Sequence, residues 1–163
     1  MTEAVRVRIH EELLPDGGQL DVQARTVLEA IEAVCRARPV LASRLFDPGQ
    51  GRYRALIHLN GEDVRFLRFL ETPLAGGDEL HIRPVEPAEP VSRSYYLTFG
   101  PQRVKEPVLH RLGRLFHVEV NILGARVTAR KGFVHASLTG SPAEVERAIR
   151  WLSRNDVGID EAD

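Results

Sequence analysis

The chain contains six histidines, His10, His58, His81, His110, His117 and His135, and one cysteine, Cys35. These side chains are suited to metal ligation or nucleophilic catalysis, so their spacing decides what chemistry is open to the protein. No His-x-x-x-His pair occurs and no histidine neighbours the cysteine, which excludes the standard zinc signatures. A lone cysteine forms no internal disulfide, and Cys35 falls on an apolar helical stripe where it reads as a small buried hydrophobe. Neither a Gly-x-x-x-x-Gly-Lys phosphate loop nor a Gly-x-Ser-x-Gly elbow is present. The carboxylates are dispersed and nominate no acid/base pair. No catalytic site, metal or cofactor is expected, and the chain reads as something other than a self-contained enzyme.

Bulk composition narrows the class further. Of 163 residues, 43% are hydrophobic and 28% charged, ordinary for a globular protein. The net charge of −1 offers no general attraction to phosphate backbones, so no nucleic-acid partner is expected. No run approaches the length of a membrane span, and Met1-Thr2-Glu3-Ala4 lacks a basic head followed by an apolar stretch. A cytoplasmic location is the expectation.

The elements that would position these residues fall into two sets. Val5 to His10 alternates strictly and predicts a strand with one buried face; turn signals from Pro15 to Gly18 lead to a second strand around Gln19 to Val22. Thr26 and Glu29 form a capping box, with Val27, Leu28, Ile31, Val34 and Cys35 at helical spacing behind it. Pro39 ends that helix and opens a short turn through Leu41, Leu45 and Phe46. A strand from Tyr53 to Leu59 turns at Asn60-Gly61 and returns through Asp63 to Phe66. Gly76-Gly77-Asp78 turns into a last strand from Glu79 to Val85. The stretch Pro84 to Pro90 is dense in proline and glutamate, and marks a semi-rigid linker.

Beyond the linker, a strand from Tyr95 to Phe99 precedes a helix starting near Pro107, with the stripe Val108, Leu109, Leu112, Leu115 and Phe116. Strands follow at Val118 to Leu123 and through Thr128 to Leu138, with a turn at Lys131-Gly132. Ser141-Pro142-Ala143-Glu144 is a capping box with proline at the first helical position; Val145, Ala148, Ile149 and Leu152 share one face. Trp151, beside that stripe, reads as core. Val157 to Ile159 is a final strand. The order βαββαβ is that of a ferredoxin-like fold, so the class is α+β in two domains, over residues 1–85 and 94–163, with a linker at 86–93.

Two resemblances cover nearly the whole chain. The strand Val5-Arg6-Val7-Arg8, the helix from Thr26, and the segments His58-Leu59-Asn60-Gly61-Glu62-Asp63-Val64 and Thr72-Pro73-Leu74-Ala75-Gly76-Gly77-Asp78-Glu79-Leu80 resemble the ubiquitin-like β-grasp proteins of the MoaD/ThiS group, which include the small subunit of molybdopterin synthase. The second half resembles the NIL domain through Asn121-Ile122-Leu123, Leu97-Thr98-Phe99-Gly100, Pro107-Val108, Gly124-Ala125 and Gly140. The first resemblance implies a sulfur-transfer pathway and a protein partner. The second implies a small sulfur amino acid such as methionine. Carriers of the MoaD/ThiS type act through a free C-terminal Gly-Gly; here Glu86-Pro87-Ala88-Glu89-Pro90 stands where that tail would follow, and Gly76-Gly77 reads as a turn. The expectation is a non-catalytic accessory protein that docks a partner, the alternative being a latent sulfur carrier that needs processing.

The β-grasp expectation also fixes a candidate surface. With Val5, Val7 and Ile9 packed on the helix, Arg6, Arg8 and His10 point outward. The same parity turns out His81, Arg83 and Val85 on the last strand, and Arg54, Leu56 and His58 on the middle one. Arg6, Arg8, Arg54, His58, His81 and Arg83 are the candidate partner-binding residues, on a face with little acid between its charges. In the second half, Glu119 and Asn121 face away from Val118, Val120 and Ile122 and are candidate ligand-binding residues. Exposed sheet edges in that half predict a homodimer.

Overall fold

A computed structural model describes residues 3–163. Met1 and Thr2, part of the stretch read above for a secretory signal, lie outside the described residues. The chain divides into two units, Met1–Glu86 and Pro87–Asp163.

The first unit comprises β1 (Val5–Ile9), β2 (Gly18–Val22), α1 (Val27–Ala37), α2 (Val40–Leu45), the two-residue strands β3 (Phe46–Asp47) and β4 (Arg52–Tyr53), β5 (Ala55–Leu59), β6 (Glu62–Asp63) and β7 (Glu79–Pro84). Its main sheet has the order β2-β1-β7-β5-β6, with β1 and β7 parallel in the centre and antiparallel neighbours on both sides. A central parallel pair requires a crossover, and α1 lies within it. One helix on one face of such a mixed sheet is the β-grasp architecture. Val5, Val7, Ile9, Leu80 and Ile82 fill one sheet face, and Val27, Ala30, Ile31 and Val34 of α1 close over them.

The local signals in the sequence account for most of these boundaries. Thr26 Oγ1 accepts from the Glu29 amide at 3.2 Å, starting α1. The Glu29 carboxylate, expected to reach the Thr26 amide, instead accepts from the Arg25 amide at 2.7 Å. Asn60 and Gly61 both adopt positive φ, 49° and 87°, which lets a two-residue turn follow the twist of its strands. The return strand is shorter than expected, because the chain leaves the ladder at Asp63 and coils into a 3-10 turn at Val64–Phe66. Asp63 caps that turn by accepting from the Arg65 amide at 3.0 Å, an option an aspartate offers wherever it precedes a helical turn.

The second unit comprises β8 (Val91–Phe99), α3 (Val108–Leu115), β9 (Val118–Val127), β10 (Gly132–Gly140), α4 (Pro142–Arg154) and β11 (Val157–Glu161). The antiparallel sheet runs β11-β8-β10-β9, the strand order of the ferredoxin-like fold. Tyr95, Leu97 and Phe99 of β8 and Val134, Ala136 and Leu138 of β10 are buried together with Leu112, Phe116, Val145, Ala148, Trp151 and Leu152. Trp151 is thus core, edge-on to Phe116 with ring centroids 6.1 Å apart. The strands outrun the expectation: β8 begins at Val91 and β9 continues to Val127. Their extra rungs carry Ser, Arg and Gly, residues that periodicity alone assigns to loops. Ladder hydrogen bonds with β10 hold them extended.

Candidate functional site

The outward face of the first sheet is built rung by rung from the register. Arg8 on β1 stands opposite His81 on β7, His81 stands opposite His58 on β5, and His58 stands opposite Asp63 on β6. The neighbouring rung pairs Asp21, Arg6 and Glu79 across β2, β1 and β7, and on the other side Arg83 stands opposite Leu56. Five of the six candidate residues, Arg6, Arg8, His58, His81 and Arg83, therefore lie on one face of one sheet. Arg54 stands just outside the ladder, its guanidinium 2.9 Å from Asp47 of β3.

Two sequence-based details are corrected here. The face is not short of acid: Arg8 lies 3.4 Å from Glu79 and Arg6 lies 3.9 Å from Asp21. Glu79 shares the parity of His81, and β2 contributes its own outward residues to the edge, so both carboxylates reach the arginines. Leu56 is buried despite its outward parity. An apolar position flanked across the ladder by a long arginine stem loses much of its contact with water.

His58, Asn60, Gly61, Gly77, Glu79, His81 and Arg83 line an open depression of about 600 Å³ on this face. Asn60 shapes its rim. Its side chain donates to Asp78 Oδ1 at 3.0 Å and accepts from the Glu79 amide at 3.0 Å, tying the β5–β6 turn to the start of β7. Gly76-Gly77 sits in the turn before β7. A Cβ on Gly76 would come within 2.7 Å of the Glu3 backbone oxygen, and Gly77 has φ +86°. Both glycines are thus required by a turn.

The electrostatics of the depression favour a neutral imidazole. The His81 pKa is lowered by desolvation first, then by Arg83, His10 and Arg8, against an opposing pull from Glu79. Among the described residues none hydrogen-bonds the buried Arg83 Nε. Sequence reasoning missed the ion pair at one end of the rung: Arg65, itself buried, grips Asp63 with Nε at 3.0 Å and Nη2 at 2.7 Å. Burial works to raise the Asp63 pKa, but the Arg65 hydrogen bonds and charge outweigh it, so the carboxyl titrates below its ordinary value. The i, i+2 spacing was the available signal, and it is too common to single out a pair. Cys35 is only half-buried, its pKa raised by desolvation.

In the second unit Glu119 and Asn121 stand opposite Thr139 and Ser137, on the sheet face away from the helices. Ile122, on the helix side, is still 55% exposed, because β9 is an edge strand. A separate, mainly apolar cleft of about 180 Å³ lies at the other end of the sheet, lined by Phe99, Val104, Pro107, Val108, Val127 and Val134 among others. Val134 is buried on the helix side of β10, so Glu119 and Asn121 do not line this cleft. Among the described residues no three His, Cys, Asp or Glu side chains are placed to hold a metal ion, and no helix is long and apolar enough to cross a membrane.

Comparison with known proteins gives two kinds of match. No curated protein matches the chain. The small archaeal modifier protein 1 of Methanosarcina acetivorans is 23% identical, over 54% of this chain and 99% of its own, with a TM-score of 0.46. A chain of the BexX/CysO complex of Amycolatopsis orientalis is 28% identical, over 53% of this chain and 100% of its own, also at 0.46. The corresponding archaeal modifier of Haloferax volcanii is 26% identical, over 53% and 99%, at 0.43. Residues 93–161 match the NIL domain family. The chain thus has a first unit of β-grasp topology, followed by a ferredoxin-like unit that matches the NIL domain family over residues 93–161.

Proposed function

We propose that this protein is a non-catalytic accessory factor of sulfur metabolism, which docks an acidic protein partner on the outward face of its β-grasp sheet. The observation that carries the reading is the rung Arg8–His81–His58 beside Arg83, of which His58, His81 and Arg83 line an open depression on the sheet face opposite α1. Surface ion pairs such as Arg8–Glu79 contribute roughly 0–1 kcal/mol each and exchange readily for a better partner. Arg83 lines the depression beside His58 and His81, and a cationic donor at such a rim favours association with an acidic surface. The NIL domain in the same reading senses a sulfur amino acid, methionine or homocysteine, with Glu119 and Asn121 as its polar contacts. The turn geometry of Gly76-Gly77 favours this docking role over that of a sulfur carrier acting through those glycines. The double change Arg8→Glu and Arg83→Glu reverses two charges on the docking face, at the cost of some cover over Leu56. It should abolish capture of the partner from the native source, while a cooperative melting curve shows that the domain is still folded. Undiminished capture by that variant sinks the reading.

A further inference from the structure

The open face of the second sheet carries a group of exposed rings that neither domain's proposed role uses. Tyr96 of β8 stands opposite His135 of β10, their rings stacked with centroids 4.5 Å apart and planes 25° apart. Phe133 lies two residues before His135 on the same face, opposite Thr98. Tyr96 is 52% and Phe133 47% exposed, although both belong to the two central strands of a four-stranded sheet. Large rings left in water on central strands forgo burial that would be worth one to several kcal/mol elsewhere. This arrangement calls for an occupant.

The surrounding charges indicate which. The Lys131 ammonium sits 5.0 Å from the Phe133 ring centre, Arg126 faces the same side opposite Phe133, and Arg130 is exposed on the connecting turn. The acids on this face are Glu119, at the far end of β9, and Asp160, opposite Tyr96. Positive charge is therefore gathered at the β9–β10 turn. The molecule's net charge of −1 averages this away, which is why composition pointed to no nucleic acid.

We propose that this face binds single-stranded nucleic acid. Bases are planar and stack on aromatic side chains, while phosphates follow basic residues beside them. The segment Lys131-Gly132-Phe133-Val134-His135 places a basic residue just before the third strand of a βαββαβ unit, and a glycine and two rings at alternate positions along it. Tyr96 supplies a further ring from the first strand. That is the layout by which RNA-recognition sheets stack two or three bases. This sequence keeps Lys-Gly-Phe from that signature and departs from it afterwards, with His135 in place of phenylalanine and buried Leu138 in place of the last aromatic. The rings lie on an open sheet face, which suits a strand laid across it.

The test is fluorescence anisotropy of a labelled oligouridylate about ten nucleotides long, titrated with the full chain at low salt. Saturable binding is expected. The pair Tyr96→Leu and Phe133→Leu should weaken it at least about tenfold, whereas Tyr96→Phe, which keeps the ring, should leave it nearly unchanged. Lys131→Gln should lower the slope of log affinity against log salt by about 0.7. Melting curves of each variant show that the fold survives, since all these side chains lie outside the core. The proposal is overturned if uridylate, adenylate and deoxythymidylate strands all fail to bind. It is equally overturned if the double leucine variant, still folded, binds as tightly as the original, or if duplex RNA binds as well as single strands.

Discussion

At the residue scale, the most consequential side chains are those whose environments differ from what their type suggests. Glu144 was expected as the acidic half of a capping box, yet it is 1% exposed and accepts from the His117 amide at 3.0 Å and from Arg147 Nη1 at 3.1 Å. It thereby joins α4 to the start of β9. Glu144→Ala leaves a partly buried amide without that acceptor and should cost about 1–3 kcal/mol in urea unfolding; an unchanged midpoint would show that water replaces the carboxylate at no cost. His81 supplies the pH-dependent prediction. Its folded pKa lies below the ordinary value of about 6.5. The native state therefore resists protonation. The stability tied to this preference is present above the unfolded value and falls as pH drops through the folded one. Imidazole NMR titration should find His81 below a free histidine, and Arg83→Ala should move it upward. A titration unmoved by that change removes Arg83 from the causes.

At the scale of elements, β9 stands out. It is an edge strand of ten residues with Ile122, Leu123 and Val127 exposed at 55%, 52% and 63%. The register with β10 shifts between His135 and Ala136, whose partners are Gly124 and Ile122, so Leu123, the last residue of the Asn-Ile-Leu motif, is a bulge residue. A bulge bends an edge and limits random pairing, while the apolar residues around it reward one specific mate. A second copy of the chain is the expected mate, giving a homodimer through β9 in analytical ultracentrifugation at micromolar concentration. Ile122→Lys should shift it to monomer without lowering the melting temperature. A wild-type protein that sediments only as monomer defeats the expectation.

For the whole molecule, the division into two units means that the β-grasp face and the NIL domain each have a complete local scaffold. The sheet and α1 alone position Arg8, His81 and Arg83, and the second sheet alone positions Glu119 and Asn121. Ligand sensing and partner docking should therefore separate by mutation. Isothermal titration with methionine and with homocysteine should give a saturable heat for at least one. Asn121→Ala should remove that heat, and the Arg8→Glu, Arg83→Glu pair should leave it unchanged. Flat traces with both amino acids would eliminate the sensing half of the proposed function and leave docking intact.

Sequence alone determined the features governed by local rules. Strict alternation in Val5–Ile9 set the buried and outward faces of β1, hydroxyl caps at Thr26 and Ser141 began two helices, and Asn60-Gly61 set a turn, because each depends on only a few neighbouring residues. Parity along strands likewise brought Arg6, Arg8, His58, His81 and Arg83 to one face. Only the tertiary structure decided what those groups meet across the sheet. Glu79 and Asp21 neutralise arginines that looked isolated, Leu56 is buried against its parity, Glu144 turns inward to bond His117, and Tyr96 finds His135 39 positions away. Cross-strand neighbours are set by register, and register depends on the packing of the whole core, which no local window contains.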